Sequence, residues 1–498
     1  MLRFLESMQW VLFIFFTAAY AYQIFYLLVG LWGKQRGGVE NAELHRYAAI
    51  ISARNESAVI GRLIRTLKEQ DYPSELLDVI VVADNCTDNT AEVARSAGAI
   101  VYERFNKVQV GKGYALDYLF KHIFEEQGED AYDAFFVFDA DNIVDPQFVR
   151  EMNKMYDTGE YSALTSYRNS QNFCANWISA GYALWFLRES RFLNRPRTRL
   201  GVNCAVSGTG FLISADVLRE EGGWNYHLLT EDIEFSIASA VRGRKIGYCG
   251  NAIIYDEQPE HFRQSWDQRL RWSKGFYQVD AKYTGALLRG CTRGGKAGMS
   301  CYDMLMTVAP CNLVTIGSLL LAVLLCVTSF AQPAYITYRV MRMLGRILML
   351  TVRGITFSLF AFGAVTMIAE WKRIAGPAWK RCCIPLPSRS SCSPMFRFRL
   401  PLWSARSSGS RSVMAWPRHR RKKNAHKEYN RSKRETLLQV LLQQRFFYVG
   451  CDAARRRHTA RAGLRQTCAR PCPDSGGLPV RQFQTAGRLD TVSQYINR

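Results

Sequence analysis

Two aspartates, Asp139 and Asp141, follow the apolar run 135–138 and are separated by a single residue. If that run is a β-strand, the alternation of side chains points both carboxylates to the same side at the end of the strand. A hard divalent cation that also binds a diphosphate takes oxygen ligands of this kind, and it would offset the charge of a departing nucleotide. Because short acidic patterns are common on solvated surfaces, the position after an apolar strand is what favours a metal site.

Another carboxylate, Asp84, ends the apolar run 79–83. A carboxylate at the end of a strand can bind a base or a ribose. The loop after it leads into a helix predicted from Thr90, and Thr87 or Asp88 is expected to cap that helix. Capping accounts for one of these two residues and leaves Asp84 available for a ligand.

A lysine between two glycines, Lys112, opens the next predicted helix. Backbone N–H groups and the helix dipole favour phosphate at such a position. The segment is not a Walker A loop, since Gly113 follows the lysine where Ser or Thr would bind magnesium. The first predicted strand is not followed by GxGxxG, which argues against a dinucleotide-dependent oxidoreductase.

The segment 206–211 is predicted to be a glycine-interrupted strand, which would let a ligand or another backbone approach closely. Thr230, Glu231 and Asp232 follow further along the chain. One interpretation is that Thr230 caps a helix whose first turn is acidic. The other is that a carboxylate faces an acceptor hydroxyl and serves as a general base. The residues themselves leave both interpretations open.

The stretch 261–280 is predicted to be an amphipathic helix that contains Gln268, Arg271 and Trp272. Arginine can pair with a diphosphate and tryptophan can stack on a sugar ring. The alternative is a helix at a membrane surface with snorkelling arginines and an anchoring tryptophan. The two interpretations are compatible with each other.

Short apolar strands alternate with amphipathic helices between residues 46 and 280, which predicts an α/β domain with a mostly parallel sheet. Ligands of such sheets lie at the carboxyl ends of the strands, where these polar residues fall. One helix is predicted over 57–69. The candidate strands are Tyr47–Ala53, Leu77–Ala83, Ala99–Glu103, Ala134–Asp139 and Ala163–Tyr167.

The order of these motifs resembles the family 2 glycosyltransferases, in particular the cellulose, chitin, hyaluronan and poly-N-acetylglucosamine synthases. The resemblance covers about residues 45–280 and includes Glu56 in the run Ala53-Arg54-Asn55-Glu56. It implies a GT-A (Rossmann-like) fold and Mg²⁺ or Mn²⁺ as a cofactor. Asp141 would bind this metal, and Asp232 would be the base of an inverting transfer.

The resemblance also implies binding roles for the remaining motif residues. The nucleotide sugar, with UDP favoured, would be bound by Glu56, Asp84, Lys112, Asp139, Gln268 and Arg271. The acceptor, a polysaccharide or a lipid-linked sugar, would be bound by Gly208, Thr209, Glu231 and Trp272. The element formed by Gln268, Arg271 and Trp272 is associated in the family with processive synthases.

Three uncharged or nearly uncharged runs predict membrane segments at 10–32, 304–331 and 347–369. The third is short between Arg353 and Glu370, so an interfacial or buried helix is its alternative. The glycosyltransferase domain 45–280 would thus be inserted between an N-terminal anchor, 1–33, and helices within 302–370. Basic residues after the first run predict a multi-pass protein of the cell membrane with a cytoplasmic domain.

The net charge of +22 is concentrated in the tail 371–498, which holds 28 of the 65 Lys and Arg but only 5 of the 43 Asp and Glu. The body before it is therefore electrically balanced. The tail lacks helical or strand periodicity over most of its length, which predicts disorder. A genuine basic tail and an out-of-frame sequence after a frameshift near residue 375 are the competing explanations, and the loss of an expected membrane segment favours the frameshift.

The sequence thus predicts a membrane-bound, inverting and processive glycosyltransferase that forms a β-linked polysaccharide. The alternatives are a single-addition enzyme that acts on a lipid-linked acceptor and an inactive partner of a synthase. Nucleic acid is not predicted as a partner, because the basic tail has no aromatic-interleaved binding module. The fourteen cysteines have no zinc-site spacing, so reduced thiols are expected.

Overall fold

The computed structural model describes residues 17–383 together with Val11, Ile14 and Phe15. The predicted tail after residue 383 and the first ten residues of the predicted anchor lie outside the described residues.

Eight strands of the described chain form one mixed sheet. The strands are β1 (Tyr47–Ala53), β2 (Leu77–Asp84), β3 (Ile100–Arg104), β4 (Ala134–Asp139), β5 (Ile143–Val144), β6 (Ala163–Ser170), β7 (Phe211–Ser214) and β8 (Ile246–Asp256). Their order in the sheet is β3-β2-β1-β4-β7-β6-β8-β5. The strands β3, β2, β1 and β4 are parallel, whereas β7 runs antiparallel to both β4 and β6.

Helices cover the sheet and extend beyond it. They are α1 (Tyr22–Trp32), α2 (Ile60–Lys68), α3 (Thr90–Ser96), α4 (Lys112–Gln127), α5 (Phe148–Tyr156), α6 (Trp177–Glu189), α7 (Arg195–Leu200), α8 (Ala215–Glu221), α9 (Glu231–Arg242), α10 (Phe262–Cys291), α11 (Gly295–Phe330), α12 (Ala334–Glu370) and α13 (Ala378–Cys383). A 3-10 turn, Ser74–Leu76, precedes β2, and a π-helical segment, Ser190–Asn194, joins α6 to α7.

The predicted bounds of β1 and β4 agree with the structure, and β2, β3, β6 and α2 differ only at their ends. The predicted strand 206–211 is wrong over most of its length, because β7 begins only at Phe211. Gly208 and Gly210 before it adopt left-handed φ values of 77° and 63°, which interrupt an extended strand. This segment is a loop at the carboxyl ends of the parallel strands.

The sheet separates two apolar clusters. Alternating residues of β1 divide between them, with Ile50 on one face and Ile51 on the other, and Val137 and Phe138 of β4 divide in the same way. All four side chains are fully buried. A central parallel strand is buried on both faces and therefore consists of a continuous apolar run. The two clusters hold β1 and β4 in place, and with them the carboxyl ends of these strands.

A buried ion pair links the N-terminal helix to the long helices that follow the sheet. The guanidinium of Arg197 in α7 donates to both carboxylate oxygens of Asp303 in α11, at 2.7 and 2.9 Å. The hydroxyls of Tyr22 and Tyr26 in α1 donate to the same carboxylate at 3.0 Å each. Both charged side chains are at most 2% exposed. The group therefore joins three helices through one fully satisfied carboxylate.

The end of α12 packs against the sheet. Glu370 is 3% exposed and accepts a hydrogen bond of 2.7 Å from the hydroxyl of Tyr167 in β6. Asn169 donates to the carbonyl of Arg373, and the side chain of Ile374 is buried in the core on one face of the sheet. Within the described chain α12 is the one helix long and apolar enough to cross a bilayer.

Candidate active site

The first parallel strands end in sharp backbone turns at the same edge of the sheet. Asn55 after β1 and Asn85 after β2 have φ values of 58° and 52°, in the left-handed region that Asn tolerates. Asp84 is 4% exposed and accepts hydrogen bonds from Arg104 at 2.6 Å and from the Asn85 amide at 2.9 Å. Its predicted role in nucleotide binding stays a prediction, and the ion pair fixes where the carboxylate points.

The predicted helix caps do not form as expected. Asp88 accepts hydrogen bonds from the backbone N–H of Thr90 at 3.1 Å and from its hydroxyl at 2.5 Å, but it precedes the N-cap residue, Asn89, whose own side chain makes no capping bond. The predicted cap by Thr230 is wrong: Thr230 does precede α9, but its side chain makes no capping bond, and its buried hydroxyl oxygen has no hydrogen-bond partner in the part of the chain that the structure describes. An orphaned hydroxyl beside the predicted base is unusual in a folded protein.

Lys112 connects Asp139, in the predicted metal-binding segment, to the glycine loop before β7. Its amine donates to the Asp139 carboxylate at 2.6 Å and to the carbonyl of Gly208 at 2.5 Å. Burial lowers the pKa of Lys112, but the carboxylates of Asp139, Glu231 and Asp232 outweigh burial and the net shift is upward. The lysine therefore stays charged among three carboxylates at the edge of the sheet.

A buried polar network fixes the backbone around Asp139. The Thr209 hydroxyl accepts a hydrogen bond from the backbone N–H of Asp139 at 2.9 Å and donates to the side-chain amide oxygen of Asn142. The amide of Asn142 donates to Asp256 at 3.1 Å. Thr209, which was predicted to bind the acceptor, thus holds the loop that carries Asp139.

Sequence reasoning missed Asn142, Arg168 and Asp256. The guanidinium of Arg168 donates to Asp256 at 2.9 Å and to the carbonyl of Ser207 at 2.7 Å. Asp256 ends β8, just as Asp84 and Asp139 end their strands, and that position was the signal that could have revealed it.

The environment of Asp141 suits a cation. Burial, and then the nearby charges of Asp256 and Asp139, raise the pKa of Asp141 to about 8. Asp139 is paired with Lys112 and Asp256 with Arg168, so Asp141 is the carboxylate of the three that has no ion pair with a described residue.

In the chain that the structure describes, no three His, Cys, Asp or Glu side chains form a group that could hold a metal. The carboxylates present instead fit an ion such as Mg²⁺, which can be bound by one protein carboxylate together with the phosphates of the substrate. Asp141 would be the protein ligand of that ion.

The predicted base lies at the start of α9. A Cβ atom added to Gly208 would lie 3.4 Å from a carboxylate oxygen of Asp232, so the glycine loop approaches this carboxylate closely. Burial raises the pKa of Asp232, and burial followed by the charge of Asp232 raises the pKa of Glu231 to about 7. Proton acceptors with raised pKa values in a cleft are candidates for general bases.

Glu56 follows β1 at the same edge. Burial, and then the charges of Asp139 and Asp88, raise its pKa. Its backbone N–H donates to the Thr90 hydroxyl at 2.9 Å. The structure therefore gathers Glu56, Lys112 and the strand-end aspartates, as the sequence predicted, while their binding roles stay predictions.

The motif residues of α10 have different surroundings. Trp272 is half-buried, with its ring edge-on to Tyr182 and Phe186 of α6 at centroid distances of 5.8 and 6.4 Å. Arg271 is exposed, and the side-chain oxygen of Gln268 is buried and accepts no hydrogen bond from any residue that the structure describes. Arg271 is thus free to reach a ligand, whereas Trp272 offers only part of its ring.

α10 crosses the start of α9 closely at Gly275. A Cβ atom added there would lie 2.5 Å from the Thr230 methyl carbon, whereas one added to Gly285 on the same helix would meet nothing within 4 Å. We expect Gly275→Ala to displace Thr230 and Asp232, to cost about 1–3 kcal/mol of stability and to reduce any transfer activity. Gly285→Ala should stabilise the helix by about 0.8–1 kcal/mol.

Thermal unfolding and activity of both variants, measured in one detergent, check this prediction. If Gly275→Ala behaves like Gly285→Ala, the close crossing of α9 and α10 does not exist in solution.

Residues 45–275 match the sequence model of the family described as "Glycosyltransferase like family 2". The "Probable glycosyltransferase YdaM" of Bacillus subtilis is 26% identical over 267 residues, which are 48% of this chain and 57% of that protein. The "Beta-monoglucosyldiacylglycerol synthase" of Synechocystis sp. is 27% identical over 234 residues, 46% of this chain and 47% of that protein. A "Poly-beta-1,6-N-acetyl-D-glucosamine synthase" of Staphylococcus epidermidis is 22% identical over 244 residues, 48% of this chain and 57% of that protein.

The chain spans about half the length of the curated relatives that it matches. Among solved structures it is similar to the mannosyltransferase PcManGT from Pyrobaculum calidifontis in complex with GDP-Man and Mn²⁺. That likeness has a TM-score of 0.48 and 17% identity, over 72% of this chain and 95% of the other.

The mixed, Rossmann-like α/β sheet, with carboxylates and a lysine at the carboxyl ends of its strands, is the arrangement expected of the GT-A fold that the resemblance implied. Residues 45–275 form a glycosyltransferase family 2 domain, and this match confirms the predicted resemblance over that part of the chain.

Proposed function

We propose that the protein transfers a sugar from a nucleotide sugar to an acceptor hydroxyl with inversion at the anomeric carbon. One observation carries the proposal. The glycine loop at Gly208 holds Lys112 through its carbonyl and borders the Asp232 carboxylate, so a cation for the leaving group and a candidate base both lie against one loop. Inverting transfer needs both groups, on opposite sides of the reacting carbon.

In the proposed reaction Asp232 accepts the proton of the acceptor hydroxyl. The acceptor oxygen then forms a bond to the anomeric carbon as the bond from that carbon to the diphosphate oxygen breaks. Lys112 and Arg271 stabilise the charge that develops on the nucleoside diphosphate. A divalent ion, when bound at Asp141, would supply further charge stabilisation to the same leaving group.

The nucleotide sugar would lie along the carboxyl edge of the sheet. Glu56 and Asp84 would contact the nucleotide, and Asp139 would hold Lys112 in place beside the diphosphate. Gln268, whose buried oxygen has no partner among the described residues, offers an acceptor for a donor group of the ligand. UDP-sugars are the favoured donors because of the resemblance to known synthases.

The favoured acceptor is a growing β-linked polysaccharide bound by Gly208, Thr209, Glu231 and Trp272. The family relationship to a poly-N-acetylglucosamine synthase supports it. A single addition to a lipid is the second candidate, supported by the similarity to a glucosyldiacylglycerol synthase. It is also supported by the exposed apolar side chains of Phe262 and Trp266 on α10, which are 64% and 60% exposed.

We also propose that the domain is inserted between membrane helices, with its active site at the cytoplasmic face. The length and apolar composition of α12 support a membrane span. The N-terminal anchor, the domain boundaries at 45–280 and 302–370, and the multi-pass arrangement belong to the same proposal.

Incubating membranes that contain the protein with radiolabelled UDP- and GDP-sugars tests the function. We expect incorporation from one UDP-sugar that requires Mg²⁺ or Mn²⁺. Sizing the product separates the two acceptors, because a polymer supports processive synthesis and a lipid with one sugar supports single addition. Absence of transfer from every sugar would contradict the proposal.

Turnover is expected to depend on pH through the carboxylate base. Since the pKa of Asp232 is raised above 3.8 and that of its neighbour Glu231 to about 7, protonation removes the base at a higher pH than for an ordinary aspartate. We expect kcat to fall as the pH is lowered between about 7 and 4. A kcat that stays constant over this interval, at saturating substrates, would rule out a titrating carboxylate base.

A further inference from the structure

A fully buried glutamate, Glu234, lies on α9 two residues after Asp232 and is 0% exposed. One of its carboxylate oxygens accepts from the Lys282 amine at 2.5 Å and from the Tyr283 hydroxyl at 3.3 Å. The other accepts from the backbone N–H of Leu228 at 3.0 Å. A single carboxylate therefore connects α9 both to α10 and to the loop that leads into Thr230.

The surroundings of this carboxylate are apolar. Ile237, Val279 and Leu287 form a buried cluster between α9, α10 and α11, with Phe276 packed against it. The Glu234 carboxylate loses its hydration, whereas the Lys282 side chain is 51% exposed and keeps part of its own. Because removing water from a charge is costly, an apolar residue of similar size would often stabilise the fold as well as a buried carboxylate does. The charge of Glu234 is better explained by the geometry that its three hydrogen bonds impose than by stability alone.

We propose that Glu234 is a positioning residue that fixes the first turn of α9, and with it Asp232, relative to α10. The inference rests on the proposed function, in which Asp232 is the base and Trp272 contacts the acceptor. Lys282 and Trp272 lie on the same continuous helix, about 15 Å apart along its axis. The carboxylate of Glu234 thereby sets the distance between the base and the helix that holds the acceptor.

The isosteric variant Glu234→Gln tests this directly. All three partners of Glu234 donate hydrogen bonds to its two carboxylate oxygens. In glutamine one of these oxygens is replaced by an NH₂ group, which must then face a donor and loses that hydrogen bond. We expect kcat to fall about 10- to 100-fold, since small misplacements of reacting groups have effects of this size. The KM for the nucleotide sugar should change less than twofold, because the donor site at Lys112 is not touched.

A double variant, Glu234→Met with Lys282→Met, separates positioning from folding. Two methionines fill a similar volume without a buried charge, so the melting temperature should return to that of the native chain. We expect kcat to stay low, because the bond to Leu228 is still absent. Recovery of kcat together with stability would overturn the proposal, since Glu234 would then act through folding alone.

Hydrogen exchange gives a readout that does not depend on activity. The amide of Leu228 is expected to exchange at least tenfold faster in Glu234→Gln than in the native chain. Glu103→Gln, which removes an exposed ion pair with Arg95, is the matched control and should change neither exchange at Leu228 nor kcat.

The outcomes distinguish the two proposals. If the native chain transfers no sugar, the proposed function fails, and unchanged exchange at Leu228 would separately overturn the connection made by Glu234. If the native chain is active and Glu234→Gln retains full kcat, the positioning role is wrong while the proposed function stands.

Discussion

Replacing Asp232 by asparagine is expected to lower kcat for sugar transfer by at least about 10³-fold while the affinity for the nucleoside diphosphate changes less than twofold. The substitution keeps the size of a side chain that lies against the glycine loop and removes only its ability to accept a proton. Turnover with labelled nucleotide sugar and calorimetric binding of the nucleoside diphosphate measure the two effects.

Glu231→Gln is the matched control for this variant. Glu231 adjoins the base but would contact the acceptor, so its loss should raise the KM for the acceptor more than it lowers kcat. Full turnover by Asp232→Asn would remove Asp232 from the role of base. A loss of nucleotide binding equal to the loss of kcat would indicate instead that the residue maintains the donor site.

Replacing Arg197 by methionine is expected to destabilise the protein by about 3–5 kcal/mol. The change leaves the Asp303 carboxylate, 1% exposed, without its cation, and only the hydroxyls of Tyr22 and Tyr26 continue to donate to it. Because the pair joins α1, α7 and α11, we expect the N-terminal helix to become accessible to protease. Denaturant unfolding in detergent and limited proteolysis measure the effect.

A surface arginine provides the control. Arg95→Met breaks an ion pair with Glu103 in which both side chains are more than a third exposed, and such pairs contribute about 0–1 kcal/mol. Equal destabilisation by the two variants would mean that the burial of Arg197 does not hold in solution. Restored stability in Arg197→Met with Asp303→Leu would show that the unpaired charge was the cause.

The polar residues at the carboxyl ends of the strands could be predicted from the sequence because each of them ends a strand or directly follows one. The apolar runs of β1 and β4 are buried on both faces, so their bounds follow from composition, and Asp84 and Asp139 end such runs. Parallel strands bring their carboxyl ends together, which is why separate motifs could be expected to converge. Lys112 beside Asp139 is the clearest example of this convergence.

The network behind that edge could not be predicted, since its bonds join residues far apart in the chain. Arg168 and Asp256 are separated by 88 positions and Asn142 and Asp256 by 114, and no local pattern pairs them. The loop at Gly208 was predicted to be part of a strand because left-handed φ values leave no trace in hydrophobic periodicity. Gly275 likewise looked like an ordinary helix residue, although Thr230 occupies the space of its side chain.

The packing of Glu370 and Ile374 against the sheet has a genetic consequence. Among the residues that the structure describes, Ile374 is the last in the apolar core, just before the composition of the chain changes. Substitutions, insertions or a shifted reading frame a few codons later would leave the core contacts between these described residues in place. Mutational tolerance should therefore rise sharply after this position, and a saturation screen for protein abundance would detect the step.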